Sequence, residues 1–249
     1  MPIKICNFCK SDKFDKSFSY DKKPKGETDF NIPKKKYKRW YIKCKACNHF
    51  YLISNLNFKN FYSDAYNKFT YDDKIFSTFE KIINLPEKKS DNQLRVKRII
   101  KFLKQKKFYN KNLLDIGSGT GVFPYMINQS GFNCTALDPD KNVSKHLKKN
   151  LSLKTLTGDF LKKKFSKKFD GITLNKVIEH VNNPLKFVNK AKSIIKSNGF
   201  IYIEVPDGLA AAKKGKNREE FFIEHLHVFS KKSLTLLANK LHLKVEMIS

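Results

Sequence analysis

Residues 113–123 read LLDIGSGTGVF, an apolar run that meets an acid and then three glycines within five positions. Few stretches constrain a chain more. The run predicts a buried strand ending at Asp115, and Gly117, Gly119 and Gly121 predict a loop that something approaches more closely than a Cβ permits. Beyond it the chain alternates in character. Strands are expected near 112–116, 133–138, 153–157, 169–174 and 199–205, with helices near 121–130, 142–150, 183–196 and 231–241. That alternation implies βαβ units: an α/β fold with an open, mostly parallel, Rossmann-like sheet and helices on both faces. Ligands of such sheets bind beyond the carboxyl ends of the strands.

Two details narrow the ligand. The spacing Gly117-x-Gly119-x-Gly121 differs from the G-x-G-x-x-G that cradles pyrophosphate at a helix N-terminus. Asp115 precedes the loop, where it repels phosphate and suits a cation. Asp138 closes the next expected strand, where an acid accepts from ribose hydroxyls. The pattern therefore asks for a ribose and a positive group.

The chain has five cysteines. Cys6 with Cys9 and Cys44 with Cys47 form two C-x-x-C pairs, and each pair offers two thiolates from one tight turn. Together they predict a tetrahedral zinc site, structural because four thiolates close the coordination shell. A redox pair or a chance pair of knuckles is the alternative. The insertion DKKPKGETDFNIPKKK between the pairs is turn-rich and charged, as in a ribbon with an extended loop. Cys134, in the apolar run FNCTAL, is expected in the core.

These readings give a zinc-ribbon domain over 1–55, an aromatic-rich connecting or lid segment over 56–90, and a cofactor-binding domain over 91–249. Tyr62, Tyr66 and Tyr71 of the middle segment are candidates for a pocket mouth. Ser90 is a candidate N-cap for a helix that places Leu94, Ile99, Phe102 and Leu103 on one face.

Net charge is +28, yet Arg supplies only 4 of the 51 basic residues, at 39, 95, 98 and 218. Arg is the residue suited to bidentate phosphate and base recognition. The lysines are spread along the whole chain beside abundant Asn, Ile and Phe, as A/T-rich codon usage produces. Nucleic acid is thus a secondary partner expectation, and a small, anionic acceptor would be steered by the same field. No apolar run reaches the length of a membrane span, and the N-terminus lacks a signal-peptide core, so a cytoplasmic protein is expected.

The glycine segment resembles motif I of the class I S-adenosylmethionine-dependent methyltransferases, and the resemblance continues through most of residues 91–249. ALDPD, with Asp138 and Pro139, is similar to their second-strand acid. GDF resembles the motif after the third strand, which implies Asp159 at the adenine amino group and Phe160 beside the ring. FDGITLNKVIEHVNNP resembles the fourth-strand region with Asn175 at its end, and GFIYIEVP the fifth strand. EHLHVFSKKSL is similar to an E-H-x-x-x-F-S-x-x-S-L signature of small-molecule and sugar methyltransferases. The resemblance implies S-adenosylmethionine as cofactor, with Asp115, Gly117, Ser118, Gly119, Gly121, Asp138, Pro139, Asp159, Phe160 and Asn175 around it. The cysteine ribbon followed by a Tyr-rich stretch resembles the zinc-bearing group that contains deoxysugar C-methyltransferases. Those enzymes carry a large extra C-terminal domain, for which this chain has no room, and Lys10 and Asn48 stand where the knuckles commonly have Gly.

Methyl transfer from a sulfonium requires an aligned acceptor and a destination for its proton. His225 is the expected general base, with Glu224 orienting it, His227 second choice, and Tyr66 as a cap on the acceptor pocket. Glu179-His180 is expected to be structural or to orient substrate. The expected function is methyl transfer to a small molecule, a sugar or nucleotide-sugar of surface-polysaccharide type. An RNA methyltransferase that holds nucleic acid with its ribbon and lysines is the alternative, and a non-catalytic scaffold the third reading. At the chain end LHLKVEMIS is expected to form a sixth strand over 243–248. With no seventh strand to follow, either a longer natural chain or a partner subunit would cover that edge.

Overall fold

The computed structural model describes residues 3–56, 74–108 and 111–248. Tyr62, Tyr66 and Tyr71 lie outside the described residues. The chain divides into two compact units, one of residues 1–61, 176–189 and 204–249, the other of 62–175 and 190–203.

The first unit is built on a four-stranded antiparallel sheet, β1 (Phe14–Tyr20), β2 (Arg39–Cys44), β3 (Phe50–Ser54) and β9 (His227–Val228), in that spatial order. β1 and β2 form a hairpin with a bulge between Lys16 and Phe18, and the charged insertion is its loop. β9 pairs antiparallel with β3, Phe50 opposite Val228 and Tyr51 opposite His227. A segment about 175 residues further along thus completes a sheet begun at the N-terminus. Tyr20, Tyr37, Tyr41 and Phe50 pack with Phe221, Ile223 and Val228 into its core.

Within that core Arg39 is fully buried and ion-paired with Glu27 at 2.5 Å. Its Nε donates to the Tyr37 hydroxyl and its Nη1 to the Phe221 carbonyl. Glu27 also accepts from the Tyr37 hydroxyl and the Ile223 amide. The Tyr41 hydroxyl sits 2.9 Å from the Phe222 carbonyl and 2.6 Å from that of His225. A buried charge requires this degree of satisfaction. Its effect is to pin the backbone of 221–225 to the sheet.

In the second unit the five-stranded sheet has the order β6 (Thr155–Thr157), β5 (Asn133–Asp138), β4 (Asn112–Ile116), β7 (Phe169–Asn175), β8 (Ile195–Glu204). β4 pairs in parallel with both β5 and β7, and β5 with β6. The interior strands are buried almost end to end, as strands covered on both faces are. Helices α1 (Ile75–Ile83), α2 (Asp91–Gln105), α3 (Val122–Gln129) and α4 (Lys141–Lys149) flank the sheet, and the residues of α5 (Pro184–Ser193) are divided between the two units. α6 (Gly208–Lys213) and α7 (Lys231–Lys240) belong to the first unit. The α/β architecture with a parallel, Rossmann-like sheet follows the expectation.

Two expectations need correction. Ser90 does cap α2, accepting from the Gln93 amide, but Leu94 is 41% exposed, and Val96 with Arg95 joins Ile99 and Leu103 on the buried face. The last strand does not form. Residues 243–248 are irregular, with Val245, Met247 and Ile248 exposed. The alternation of Leu243, Val245 and Met247 suits a strand, but alternation without a hydrogen-bonding edge beside it leaves the backbone to water.

Candidate functional site

In the second unit the glycine turn has the form its composition implies. Gly117, Gly119 and Gly121 all take positive φ, 75°, 51° and 81°, which side-chain-bearing residues rarely adopt. Gly121 is doubly constrained, since a Cβ there would lie 2.4 Å from Leu147 Cδ2 and 2.7 Å from Leu151 Cδ1. The Gly117 amide donates to the Leu137 carbonyl, and the Ser118 hydroxyl donates back to the Asp115 carbonyl.

Asp115 is 2% exposed at the end of β4. Its Oδ1 accepts from Thr173 Oγ1 at 2.6 Å and Asn175 Nδ2 at 2.8 Å. Burial outweighs these bonds and pushes its pKa up to about 6. Thr173 escaped the sequence reading; its position two residues before Asn175 on the same strand is the signal that places it. Asn175 Oδ1 is buried with no hydrogen-bond partner. Asp138, at the end of β5, accepts from the Gly119 and Asp140 amides, both at 3.0 Å, and burial pushes it also to about 6. Each of its oxygens keeps a further lone pair. Pro139 follows on the surface. Asp159 caps a turn by accepting from the Leu161 amide and is half exposed. Phe160 is 3% exposed, its ring 5.9 Å from Phe165 and 5.5 Å from Lys190 Nζ.

These residues fit a nucleoside carrying a positive charge. Two carboxylates are held at strand ends against the cost of burial, an amide oxygen is left without a donor, and the turn between them has no side chains at its glycines.

The first unit holds two further clusters. The four sulfurs of Cys6, Cys9, Cys44 and Cys47 lie within 4.8 Å of one another. The two knuckles repeat one geometry. Cys6 N–H donates to Ser11 O and Lys10 N–H to Cys6 O; Cys44 N–H donates to His49 O and Asn48 N–H to Cys44 O. Lys10 and Asn48 take the left-handed conformation, φ 66° and 57°. Tyr51 places its hydroxyl 3.2 Å from Cys6 Sγ. The Cys47 thiol, and after it the Tyr51 hydroxyl, lowers the Cys6 pKa from the ordinary thiol value. Donor set and turns fit a tetrahedral thiophilic ion. All five cysteines are free thiols, and Cys134 is buried as expected.

The other cluster joins two Glu-His pairs. After β7 the chain turns through Lys176, a non-glycine residue at φ 54°, which puts Glu179 and His180 in a tight turn. His225 comes from the loop that Arg39 and Tyr41 hold. Its ring lies 4.7 Å from that of His180. His180 Nδ1 donates to the Glu224 carbonyl at 2.9 Å. Burial drives the pKa of His180 down to about 4 and that of His225 to about 3, so both rings are neutral at physiological pH. His225 Nδ1 is buried without a hydrogen-bond partner. Glu224 is itself raised to about 7 by burial, and its carbonyl is what orients His180. His227 is placed elsewhere: it lies in β9, with Nδ1 3.1 Å from His49 Nε2, as part of the buried sheet.

An open parallel sheet whose first strand ends in a buried acid, a glycine turn and a second-strand acid defines a nucleoside-binding α/β domain. The chain belongs to the methyltransferase-domain family, whose model matches residues 89–247. Among curated proteins it is similar to the ubiquinone biosynthesis O-methyltransferase of Actinobacillus pleuropneumoniae serotype 5b (strain L20). The two are 30% identical over 105 residues, 38% of this chain and 45% of that protein. The protein of the same name from Pelagibacter ubique (strain HTCC1062) is 35% identical over 101 residues, 38% of this chain and 41% of that one. The chain spans less than half the length of these relatives. Among solved structures, an N-methyltransferase from Bradyrhizobium japonicum WM9 in complex with S-adenosyl-L-homocysteine aligns with a TM-score of 0.47 at 13% identity, over 66% of this chain and 85% of that one.

Proposed function

We propose that the protein is an S-adenosylmethionine-dependent methyltransferase acting on a small, oxygen-rich acceptor of sugar or nucleotide-sugar type. The observation that carries the reading is Asp115, a carboxylate kept at the mouth of a glycine turn although burial raises its pKa to about 6. A site with no cationic ligand gains nothing from that charge. The cofactor supplies an electrophilic methyl group on a sulfonium. Asp115, Gly117, Ser118, Gly119 and Gly121 would hold it, with Asp138 and Pro139 at the ribose, Asp159 and Phe160 at the base, and Asn175 using its unpartnered oxygen.

On the acceptor side the chain offers His225, with Glu224 and Glu179-His180 around it. Its Nδ1 is buried without a hydrogen-bond partner, a lone pair or proton that an acceptor group would satisfy. A ring with a pKa of about 3 is a weak base, since general-base work favours a pKa near the working pH. The acceptor therefore needs its hydroxyl acidified. Cys6, Cys9, Cys44 and Cys47 hold one structural zinc in this reading, and thiolates reserved for a metal suit a reducing compartment such as the cytoplasm. Among the described residues no helix is long and apolar enough to cross a membrane.

The test is incubation with methyl-labelled S-adenosylmethionine and parallel panels of nucleotide-sugars and total RNA, with calorimetry of cofactor binding alongside. Label transferred to a nucleotide-sugar supports the reading. Label transferred to RNA alone overturns the acceptor class, and absence of cofactor binding overturns the activity.

A further inference from the structure

We infer that Tyr51 is a positioning residue of the four-cysteine site, its hydroxyl donating to the Cys6 sulfur so that this thiolate is aimed at the ion and relieved of part of its charge. The inference rests on the reading of the four cysteines as one zinc site, and goes beyond it by assigning that site a fifth residue.

The direction of the hydrogen bond follows from counting protons. The Tyr51 hydroxyl accepts from the Asn7 amide at 3.0 Å and lies 3.2 Å from Cys6 Sγ. A phenol has one proton, and an amide N–H can only donate. Asn7 therefore engages a lone pair of the hydroxyl, and the proton is left for the sulfur. A metal-bound cysteine is a thiolate, which only accepts, so the contact becomes a charge-assisted hydrogen bond once the ion is in place.

The hydroxyl is held in this direction from all sides. Tyr51 is fully buried in β3, opposite Ile42 of β2 on one side and His227 of β9 on the other. Its ring meets His49 edge-on at 4.4 Å and Phe14 at 6.1 Å, and stacks with Phe8, a residue of the first knuckle, at 6.3 Å. Strand pairing fixes its backbone, and these rings fix its side chain. The sheet thus reaches the metal site through one phenol.

The sulfurs are not equivalent. Cys9 faces the Ser11 amide and Cys47 that of His49, whereas Cys6 faces the amides of Phe8 and Cys9 and the Tyr51 hydroxyl besides. The second knuckle is anchored by other means: its Cys47 carbonyl accepts from Ser230 Oγ at 2.6 Å, a bond to backbone and not to sulfur. Four thiolates around a divalent ion leave an excess of negative charge, which a buried site must meet with donors. Outer donors of this kind hold a ligand in its binding orientation, and losing one costs metal affinity.

The test compares Tyr51→Phe with Tyr41→Phe in the full chain, each loaded with Co2+ as a spectroscopic probe and with zinc in competition against a chromophoric chelator. Tyr41 is the control because it is fully buried in the same sheet and its hydroxyl meets the Phe222 and His225 carbonyls. Wild type should show a thiolate-to-Co2+ charge-transfer band. In Tyr51→Phe that band should move to longer wavelength, since a sulfur without its hydrogen bond gives up an electron at lower energy. Zinc affinity should fall about 10–100-fold. Tyr41→Phe should leave both readouts unchanged. Circular dichroism verifies that each variant is folded, and wild type loaded with an NMR-active cadmium isotope gives a measurement that needs no variant. There the Tyr51 hydroxyl proton should exchange slowly and show scalar coupling to the metal through the sulfur. The inference is overturned if that coupling is absent, if folded Tyr51→Phe matches wild type in band and affinity, or if Tyr41→Phe moves both as far. A wild type with no thiolate charge-transfer band overturns the zinc reading itself, and the inference with it.

Discussion

Replacing Asp115 by Asn should make the cofactor-free protein more stable at neutral pH. Burial raises this carboxyl from its ordinary 3.8 to about 6, and the group is only 2% exposed, so solvent screening takes little from the effect. A shift of about 2 units corresponds to ~3 kcal/mol. The folded state holds the proton more tightly than the unfolded chain. The contribution to stability is therefore full below about pH 4 and is lost as pH rises through 6. The amide keeps an Oδ1 that accepts from Thr173 and Asn175, and it never ionises. Variant and wild type should match near pH 4 and diverge to ~3 kcal/mol in favour of the variant at pH 7. Asp138 is itself raised in part by Asp115, so removing one charge relieves the other. With a urea slope of ~1–3 kcal/mol/M, the midpoint should rise by ~1–3 M at pH 7. The assay is urea denaturation followed by circular dichroism from pH 4 to 7.5, with affinity for S-adenosylmethionine measured in parallel and expected to fall. A variant no more stable than wild type at pH 7, or a gain independent of pH, would refute the reasoning.

Gly121→Ala should cost about 2–5 kcal/mol, from left-handed strain and from a Cβ driven against Leu147 and Leu151, read as a lowered denaturation midpoint. Lys10→Gly should stabilise the first unit by ~1 kcal/mol, seen in thermal melting, because the knuckle already holds that residue at φ 66°. Glu27→Gln leaves Arg39 buried without its counter-ion and should cost ~3–5 kcal/mol. Fluorescence of Trp40, the single tryptophan, next to Arg39, reports that loss. Elemental analysis of protein purified without chelator should return at least one zinc per chain, and its removal should unfold the cysteine knuckles, where zinc contributes ~10–16 kcal/mol in isolated finger peptides.

The parts legible in the sequence are those made by local chemistry. LLDIGSGTG shows a strand, an acid and a turn because each is fixed by neighbours within five positions, and Ser90 shows a helix start for the same reason. The pairs Cys6/Cys9 and Cys44/Cys47 are readable because thiol spacing within a knuckle is local. What escaped depends on partners far away in the chain. Glu27 sits in a charged, turn-rich insertion and reads as solvated; only Arg39 and the Ile223 amide make it a core residue. His227 reads as a spare histidine until β3 takes it as a strand neighbour. The strand pattern of 243–248 is real, but a pattern records which face would be apolar and not whether an edge exists to receive it. The doubled Glu-His pair at 179–180 and 224–225 was visible, and nothing in one dimension says that the two meet.

The late arrival of β9 bears on how the protein is made. The cysteine knuckles and the β1–β2–β3 hairpins are synthesised within the first 54 residues, yet Arg39 and Glu27 must wait for Phe221 and Ile223, and the free edge of β3 for His227 and Val228. A nascent N-terminal segment emerging from the ribosome therefore carries a buried-to-be ion pair in water and an open strand edge for most of translation. Contacts of that sequence separation close slowly, and the interval is when an exposed edge is most vulnerable to pairing with another chain.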